Sequence, residues 1–478
     1  MYAYSADELA QIANGVWHAA DRLNLVSSFC FDARQIQSGA CFVALSGGAR
    51  DGHEFIEQAS KGGASCAFVE SVADVELPQL VVEDSLLALG RIGQSARSRF
   101  ASPVVGITGS CGKTSTKEML RLLLGEASTH ATAGNWNNRI GVPMTLIDLD
   151  PKMHDFAVIE AGINQPGEMQ HLGEMIRGDL TIVTNVGPAH LELLETVENV
   201  AIEKARLAQA AKEGSPVVFA SDLLQYPVFR VMADRAIVLH PESEPEPDVS
   251  VRKLMNYRLT VSQTHLSDSK AARGGGPACP SYQLSMFEGD HSFDFIVQTP
   301  SRGIATNAAL AIVAAQELGI GVEELQARIA NWQPATNRGR MLTIGNQFFY
   351  VDCYNANPAS MTDAILAFGS ITDDTQPRAY VLGAMNELGE TAEAQHRQIG
   401  LQLNLRSQDR VFFIGPKSLC LGYQSGAVAA GNRPDQLQVS KSVENIKSEV
   451  AEFSGALFLK GSRSYQLETL LPEGISNS

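Results

Sequence analysis

Short apolar runs alternate along this chain with stretches whose apolar residues recur every three to four positions. Between residues 5 and 70 the helix-patterned ADELAQIANG gives way to the strand-like CFVALSGG, then to HEFIEQASKGGA and SCAFVE, with glycines at the joins. A second unit opens at Pro103, where the apolar run VVGIT meets a glycine-rich turn and the helix-patterned STKEMLRLLLGEA. Buried-type strands follow at FAVI (156–159), LTIVT (180–184) and PVVFA (216–220). Residues 241–300 change character: the polar PESEPEPD and the loop-like SKAARGGGPACP flank the strand-like YRLTVSQ and YQLSMF, which predicts hairpin and loop decoration rather than core. A helix over NAALAIVAAQEL (307–318) leads to NWQPATNRGRM, whose proline and glycines suit an interdomain hinge. A third unit then runs through FFYVDCY, AYVLGAM, RVFFIG and ALFLKGS. Apolar strands alternating with helices predict an α/β fold with mostly parallel, doubly covered sheets.

At 478 residues the chain is too long for one core, and 44% hydrophobic residues supply material for two to four. A formal charge of −16 repels a polyanionic backbone, so nucleic-acid binding is not expected. The seven cysteines are scattered with no C-x-x-C pair, the pattern of reduced thiols. No basic flank with an apolar core opens the sequence, and no run of about 18 apolar residues suggests a membrane span. A cytoplasmic protein without a membrane span is the expectation.

In VVGITGSCGKTSTKEML a glycine-rich turn joins a strand to a helix, so backbone N–H groups and the helix N-terminus can converge on an anion. Lys113 adds a charge for outer phosphates, and Thr114 a hydroxyl for Mg²⁺. The fit to G-x-x-x-x-G-K-[ST] is imperfect: Ile107 stands where the first glycine belongs, leaving the tighter G-x-x-G-K-T-S of Gly109, Ser110, Cys111, Gly112, Lys113, Thr114 and Ser115. A bare G-K-T also fits a plain turn with an exposed lysine; the strand before and helix after favour a nucleotide. Glu160 ends the strand FAVIE, at the sheet edge where α/β folds bind ligands, and its hard oxygens suit magnesium. It also reads as a polar loop residue, and His190, after LTIVT, also reads as structural. Lys204 falls on the apolar face of TVENVAIEKARLAQAA with Val197, Val200, Ala201 and Ala208. There a lysine is paired, snorkelling or modified; burial would favour the neutral amine, which can capture CO₂ as a carbamate.

The segments FDARQIQSGACFVALSGGARDGHEFI, TGSCGKTSTKE, GNWNNRIGVPMTL, EAGINQPGE, TNVGPAHLE, ENVAIEKARL, DCYNANPASM, LGAMNELG and LKGSRS, in this order, resemble the Mur ligase family. DCYNANPASM and LGAMNELG point to its D-alanyl-D-alanine-adding branch. The resemblance implies a UDP-sugar domain (1–100), a central ATP-binding domain (101–335) and a C-terminal Rossmann-like domain for the amine (336–478), in a monomer. It implies ATP on Gly109 to Ser115, and two Mg²⁺ organised by Thr114, Glu160, His190 and carbamylated Lys204. Lys113, Glu160, His190 and Lys204 would be the catalytic set. Asn307, Arg338 and Asp352 would contact the nucleotide. Tyr354, Asn355, Asn357, Lys460 and Ser462 would close over it and the dipeptide. Asp32, Arg34, Asp51 and His53 would shape the UDP-sugar pocket, and Asn135, Asn137 and Asn138 would meet the substrate near the γ-phosphate. The implied reaction joins D-alanyl-D-alanine to UDP-N-acetylmuramoyl-tripeptide through an acyl phosphate. Five positions depart from the family pattern: Gly303-Ile304 in place of His-Asn, Cys353 and Ala384 in place of Asp, and Cys111 in place of Asn. A sister ligase adding diaminopimelate would carry D-N-P-R, which is absent; a scaffold that has lost ligation would not need Glu160, His190 and Lys204.

Overall fold

The computed structural model describes residues 2–19, 23–47, 50–262 and 280–472, which form three α/β units in sequence. The first carries a five-stranded sheet ordered Val16–His18, Gln79–Val81, Cys66–Val69, Cys41–Val43, Phe29–Cys30. It is parallel except at the Val16–His18 edge. The third carries six strands ordered Arg340–Ile344, Gln347–Asp352, Ala456–Lys460, Arg378–Gly383, Arg410–Ile414, Leu437–Ser440, again parallel but for its first edge.

The central sheet has nine strands, with Val104–Thr108 seated between Leu180–Val183 and Phe156–Glu160. Its apolar strands are covered on both faces, as the unbroken hydrophobic runs require. Val105 and Ile107 pack with the helices Lys113–Leu124 and Arg302–Glu317, while Val104 faces the opposite cluster around Leu172, Val200 and Leu207. On that side Gly106 admits the helix Val197–Gln209: a Cβ there would lie 3.4 Å from Leu207 Cδ2.

The reading of residues 241–300 as decoration is corrected. Lys253–Ser262 joins the sheet parallel to Ala236–Pro241, and the hairpin Ser281–Glu288 and His291–Gln298 extends it antiparallel. Met255, Leu284, Met286, Phe295 and Val297 are buried in the central core, against Leu325 and Trp332. The short apolar alternation in these strands carries the signal; the polar text around them masked it. Most of the glycine-rich loop, with Cys279, lies outside the described residues. The other six cysteines are free thiols. No described helix is long and apolar enough to cross a membrane.

Arg97, at the end of the helix Ser85–Arg99, ties the first unit to the second. It is 4% exposed and donates to the carbonyls of Ile176 (2.8 Å), Phe100 (2.8 Å) and Arg177 (2.9 Å) and to Asp179 Oδ2 (2.8 Å). Asp179 also accepts from the Val104 amide at 3.0 Å, where the central strand begins. Removing Arg97 leaves its three carbonyl acceptors without this donor while Asp179 keeps Lys212 at 2.5 Å, so Arg97→Ala is expected to lower stability by about 1–3 kcal/mol in urea unfolding. Arg34→Ala, at an exposed pair, should leave the midpoint unchanged.

Candidate active site

The strand Val104–Thr108 runs straight into the glycine-rich turn, whose curvature only glycine accommodates. Gly109 has φ +152° and a Cβ there would fall 1.8 Å from Thr184 Oγ1; Gly112 has φ +79° and its Cβ would fall 2.4 Å from Asn307 Nδ2. Side chains from the neighbouring strand fix the loop. The Cys111 amide donates to Asn185 Oδ1 (2.9 Å), Thr184 Oγ1 donates to the Cys111 carbonyl (2.6 Å), and the Gly187 amide donates to Ser110 Oγ (3.0 Å). The helix Lys113–Leu124 starts at Gly112, so its free amides and dipole face the turn. Lys113 Nζ folds back onto the Gly109 carbonyl at 2.7 Å. Burial lowers the pKa of Lys113, with the Glu160 carboxylate opposing that shift.

Glu160, 1% exposed at the end of its strand, is the junction of this region. Thr114 Oγ1 donates to its Oε2 at 2.9 Å and Asn137 Nδ2 to its Oε1 at 2.7 Å, while its own amide donates to Thr132 Oγ1 at 2.9 Å. The loop carrying Asn135, Asn137 and Asn138 is fixed from below by Lys117, whose Nζ donates to the carbonyls of Thr132 (2.6 Å) and Gly134 (3.0 Å). Asn138 Oδ1 caps the next helix, accepting from the Gly141 amide at 2.9 Å.

The opposing wall comes from the carboxyl edge of the third sheet. Lys460, 1% exposed at its strand end, donates to Asp352 Oδ2 at 2.6 Å, at the end of the neighbouring strand. The Arg338 guanidinium stacks on Tyr354, 3.9 Å above the ring centroid. Asn357 Nδ2 donates across the divide to the Ser110 carbonyl at 3.2 Å. Ser462 Oγ accepts from the Asn386 amide at 3.0 Å. Together these walls enclose a cleft of about 870 Å³, lined by Ser110 to Ser115, the three asparagines, Glu160, His190, Asn307, Arg338, Asp352, Tyr354, Asn355, Asn357, Lys460 and Ser462. Gly109 sits behind this lining, at the start of the turn.

Besides Gly109, five predicted residues do not line the cleft. Lys204 does not snorkel: it is 1% exposed within the helix Val197–Gln209, and burial, then the nearby Lys113 charge, pushes its pKa well down. Asp32 and Arg34 pair with each other at 2.7 Å on the first unit. Asp51 caps a short turn there and accepts from His53 Nδ1 at 2.7 Å, while His53 Nε2 accepts the Glu70 amide at 2.8 Å. Their link to the cleft is indirect: Phe31, next to Asp32, packs on Trp136, with ring centroids 5.7 Å apart. Of the expected magnesium set, Thr114 and Glu160 are in contact, His190 stands further along the same cleft, and Lys204 lies behind it. Among the described residues no group of three His, Cys, Asp or Glu side chains is arranged around a metal-sized point. The oxygen pair Thr114–Glu160 is nonetheless the donor type that magnesium takes.

Sequence reasoning missed Lys117, Asn185, Asp363 and Glu387. Lys117 lies four residues after Lys113 on one helix, a spacing that puts both on the same side; the others act through contacts between distant segments, which no local pattern encodes.

Three family models match in chain order: Mur ligase family, catalytic domain (26–99), Mur ligase middle domain (107–315), and Mur ligase, glutamate ligase domain (339–461). The UDP-N-acetylmuramoyl-tripeptide--D-alanyl-D-alanine ligase of Escherichia coli is 30% identical over 476 residues, spanning 98% of each chain. MurF of Acinetobacter baumannii superposes with a TM-score of 0.83 at 25% identity, over 98% of both chains. MurF ligase of Thermotoga maritima, solved in complex with ADP, shares the fold with a TM-score of 0.75 at 23% identity, covering 93% of this chain and 96% of its own. With full-length similarity at this level and all three units matched in order, the chain belongs to the Mur ligase family.

Proposed function

We propose that this chain is the ATP-dependent ligase that joins D-alanyl-D-alanine to UDP-N-acetylmuramoyl-tripeptide, releasing ADP and phosphate, in the cytoplasmic assembly of peptidoglycan precursors. One observation carries the reading: a glycine-rich anion loop and the Thr114–Glu160 pair from one sheet face the Lys460–Asp352 pair from another across a single cleft. A carboxylate is a poor acyl donor because its oxygen leaves badly. An oxygen of the tripeptide carboxylate therefore attacks the γ-phosphorus of ATP, the bond to the β-phosphate oxygen breaks, and ADP departs. The dipeptide amine then attacks the acyl carbon, losing a proton, and inorganic phosphate leaves.

The protein's task in the first step is positioning and charge neutralisation. Amides of Gly109 to Ser115 cradle the phosphates, Lys113 moves from the Gly109 carbonyl onto the outer phosphate, and Asn307, Arg338 and Asp352 hold the nucleotide. Thr114 and Glu160 would hold Mg²⁺, with His190 and a modified Lys204 completing the set, and the bound ion would supply charge neutralisation to the phosphate oxygens. Asn135, Asn137 and Asn138 align the tripeptide end. Tyr354, Asn355, Asn357, Lys460 and Ser462 receive the dipeptide. Asp32, Arg34, Asp51 and His53 belong to the face that takes the UDP-sugar.

Lys204 is suited to carbamylation on electrostatic grounds. Burial and the Lys113 ammonium both favour its neutral amine, the form that attacks CO₂. Addition of the neutral amine to CO₂ forms an N–C bond and releases the amine's one displaced proton, replacing a neutral group beside Lys113 with an anion that Lys113 attracts.

Phosphate release with ATP, Mg²⁺, UDP-N-acetylmuramoyl-tripeptide and a panel of dipeptides tests the reading. D-alanyl-D-alanine should give the fastest turnover; its failure against an amino acid such as diaminopimelate would reassign the substrate. Lys113→Ala should lower turnover by at least about 10²-fold, as removal of a charge stabiliser does. Lys204→Ala should lose activity and recover part of it with formate or acetate, and the wild-type protein in ¹³C-bicarbonate should show a carbamate carbon resonance missing from the variant. Unaltered turnover in Lys204→Ala would end the carbamate role.

A further inference from the structure

His190 and Glu387 come from different units and stand 197 residues apart in sequence, yet His190 Nδ1 meets Glu387 Oε2 at 2.5 Å. A second bond runs in parallel, from the Glu192 amide to the Glu387 carbonyl at 3.2 Å. Both residues adopt left-handed backbone, His190 at φ +56° and Glu387 at φ +65°, a conformation that costs energy outside glycine and persists where the surroundings enforce it. Gly389 lets the two loops approach: its φ is +55° and a Cβ there would lie 3.2 Å from Glu192 Cα. Two hydrogen bonds, two strained residues and one close backbone approach thus converge on a single interdomain contact at the cleft wall.

We propose that Glu387 is a positioning residue that sets the tautomer and orientation of His190 when the third unit closes. This rests on the ligase reading above. A carboxylate facing Nδ1 holds the proton there and leaves the Nε2 lone pair bare, the form in which imidazole binds a metal ion or accepts a hydrogen bond. Because Glu387 reaches His190 only when the amine-binding unit lies against the central one, the contact links arrival of the second substrate's domain to completion of the phosphate site. Neither residue needs to touch the dipeptide for this coupling. The Glu387 side chain is half exposed, so its truncation leaves no sealed cavity.

The first readout is spectroscopic and needs no ligand. In metal-free protein labelled with ¹⁵N-histidine, the His190 ring signals are identified by their absence in His190→Asn. Wild type should show a protonated Nδ1 and a bare Nε2, and Glu387→Ala should show exchange between tautomers. The second readout is kinetic: Glu387→Ala should lower kcat about 10- to 100-fold, with KM for ATP changed less than about threefold and an unchanged melting temperature. Glu387→Gln, which can still accept the Nδ1–H bond, should recover much of the loss. Identical ring signals in wild type and Glu387→Ala, or equal kcat in both, would overturn the proposal. An inactive wild type with every dipeptide would instead strike the ligase reading, while the ring-nitrogen result would still judge the contact.

Discussion

A carboxylate buried at the end of a parallel strand organises this molecule. Glu160 is nearly sealed from water, so its charge must be met by donors, and it recruits them from separate segments: Thr114 from the first turn of the anion-loop helix and Asn137 from the asparagine loop. The glycine-rich loop and the asparagine loop are therefore registered against each other through one side chain. Lys117 reinforces this from beneath, spending its buried ammonium on two carbonyls of the same asparagine loop and on Glu118. A divalent ion entering between Thr114 and Glu160 would exchange one of these bonds for coordination, which explains how a fully hydrogen-bonded site can still be ready for metal.

Sheet architecture and much of the central wall were readable from the sequence because their determinants are local. Continuous apolar runs of four or five residues mark strands covered on both faces, and Gly109, Gly112, Lys113 and Thr114 are fixed by one turn between a strand and a helix. Lys204 was readable as an anomaly because helical spacing alone puts it among Val200, Ala201 and Ala208. The strand character of YRLTVSQ and YQLSMF was legible as well, but their place in the core was not, since an edge hairpin with one solvated face carries weak alternation inside polar text. Arg97, Asn185 and Glu387 were invisible for another reason: each acts across a distance in sequence set by tertiary packing. The four residues on the first unit show the converse. Their motif was legible, but Asp32 and Arg34, like Asp51 and His53, satisfy one another in this arrangement and stay away from the cleft.

The departures from the family pattern make physical sense as replacements within their own surroundings. The Gly303 amide donates to Asp363 Oδ1 at 2.9 Å and Ser301 Oγ to Asp363 Oδ2 at 2.5 Å, so a carboxylate from the helix Pro358–Ile371 caps the helix that opens at Arg302. A Cβ at position 303 would stand 3.2 Å from the Asp363 carboxyl carbon, and a histidine there would need Asp363 to retreat. Burial raises the Asp363 pKa, while the two donors resist that shift. At position 353 the thiol points at Glu468 Oε2, 3.6 Å away, in a buried setting that pushes its pKa far up. An aspartate there would put a third carboxylate beside Asp352 and Glu468; a neutral thiol avoids that repulsion.

Ala384 completes the argument. It is fully buried, and its methyl packs onto bare backbone at Gly415, where a Cβ would come within 2.9 Å. Room for a carboxylate at that spot is lacking, and the loop places its polar groups later, at Asn386 and Glu387, both on the cleft wall. Asn386 bonds Ser464 at 2.9 Å and, through its amide, Ser462, whereas Glu387 alone turns outward to His190. The loop is thus anchored within its own unit by one residue and reaches the other unit with the next. A rigid anchor beside a reaching carboxylate transmits the third unit's position to the central site without any change in the loop's own shape, which is the simplest mechanical route from domain closure to phosphate chemistry.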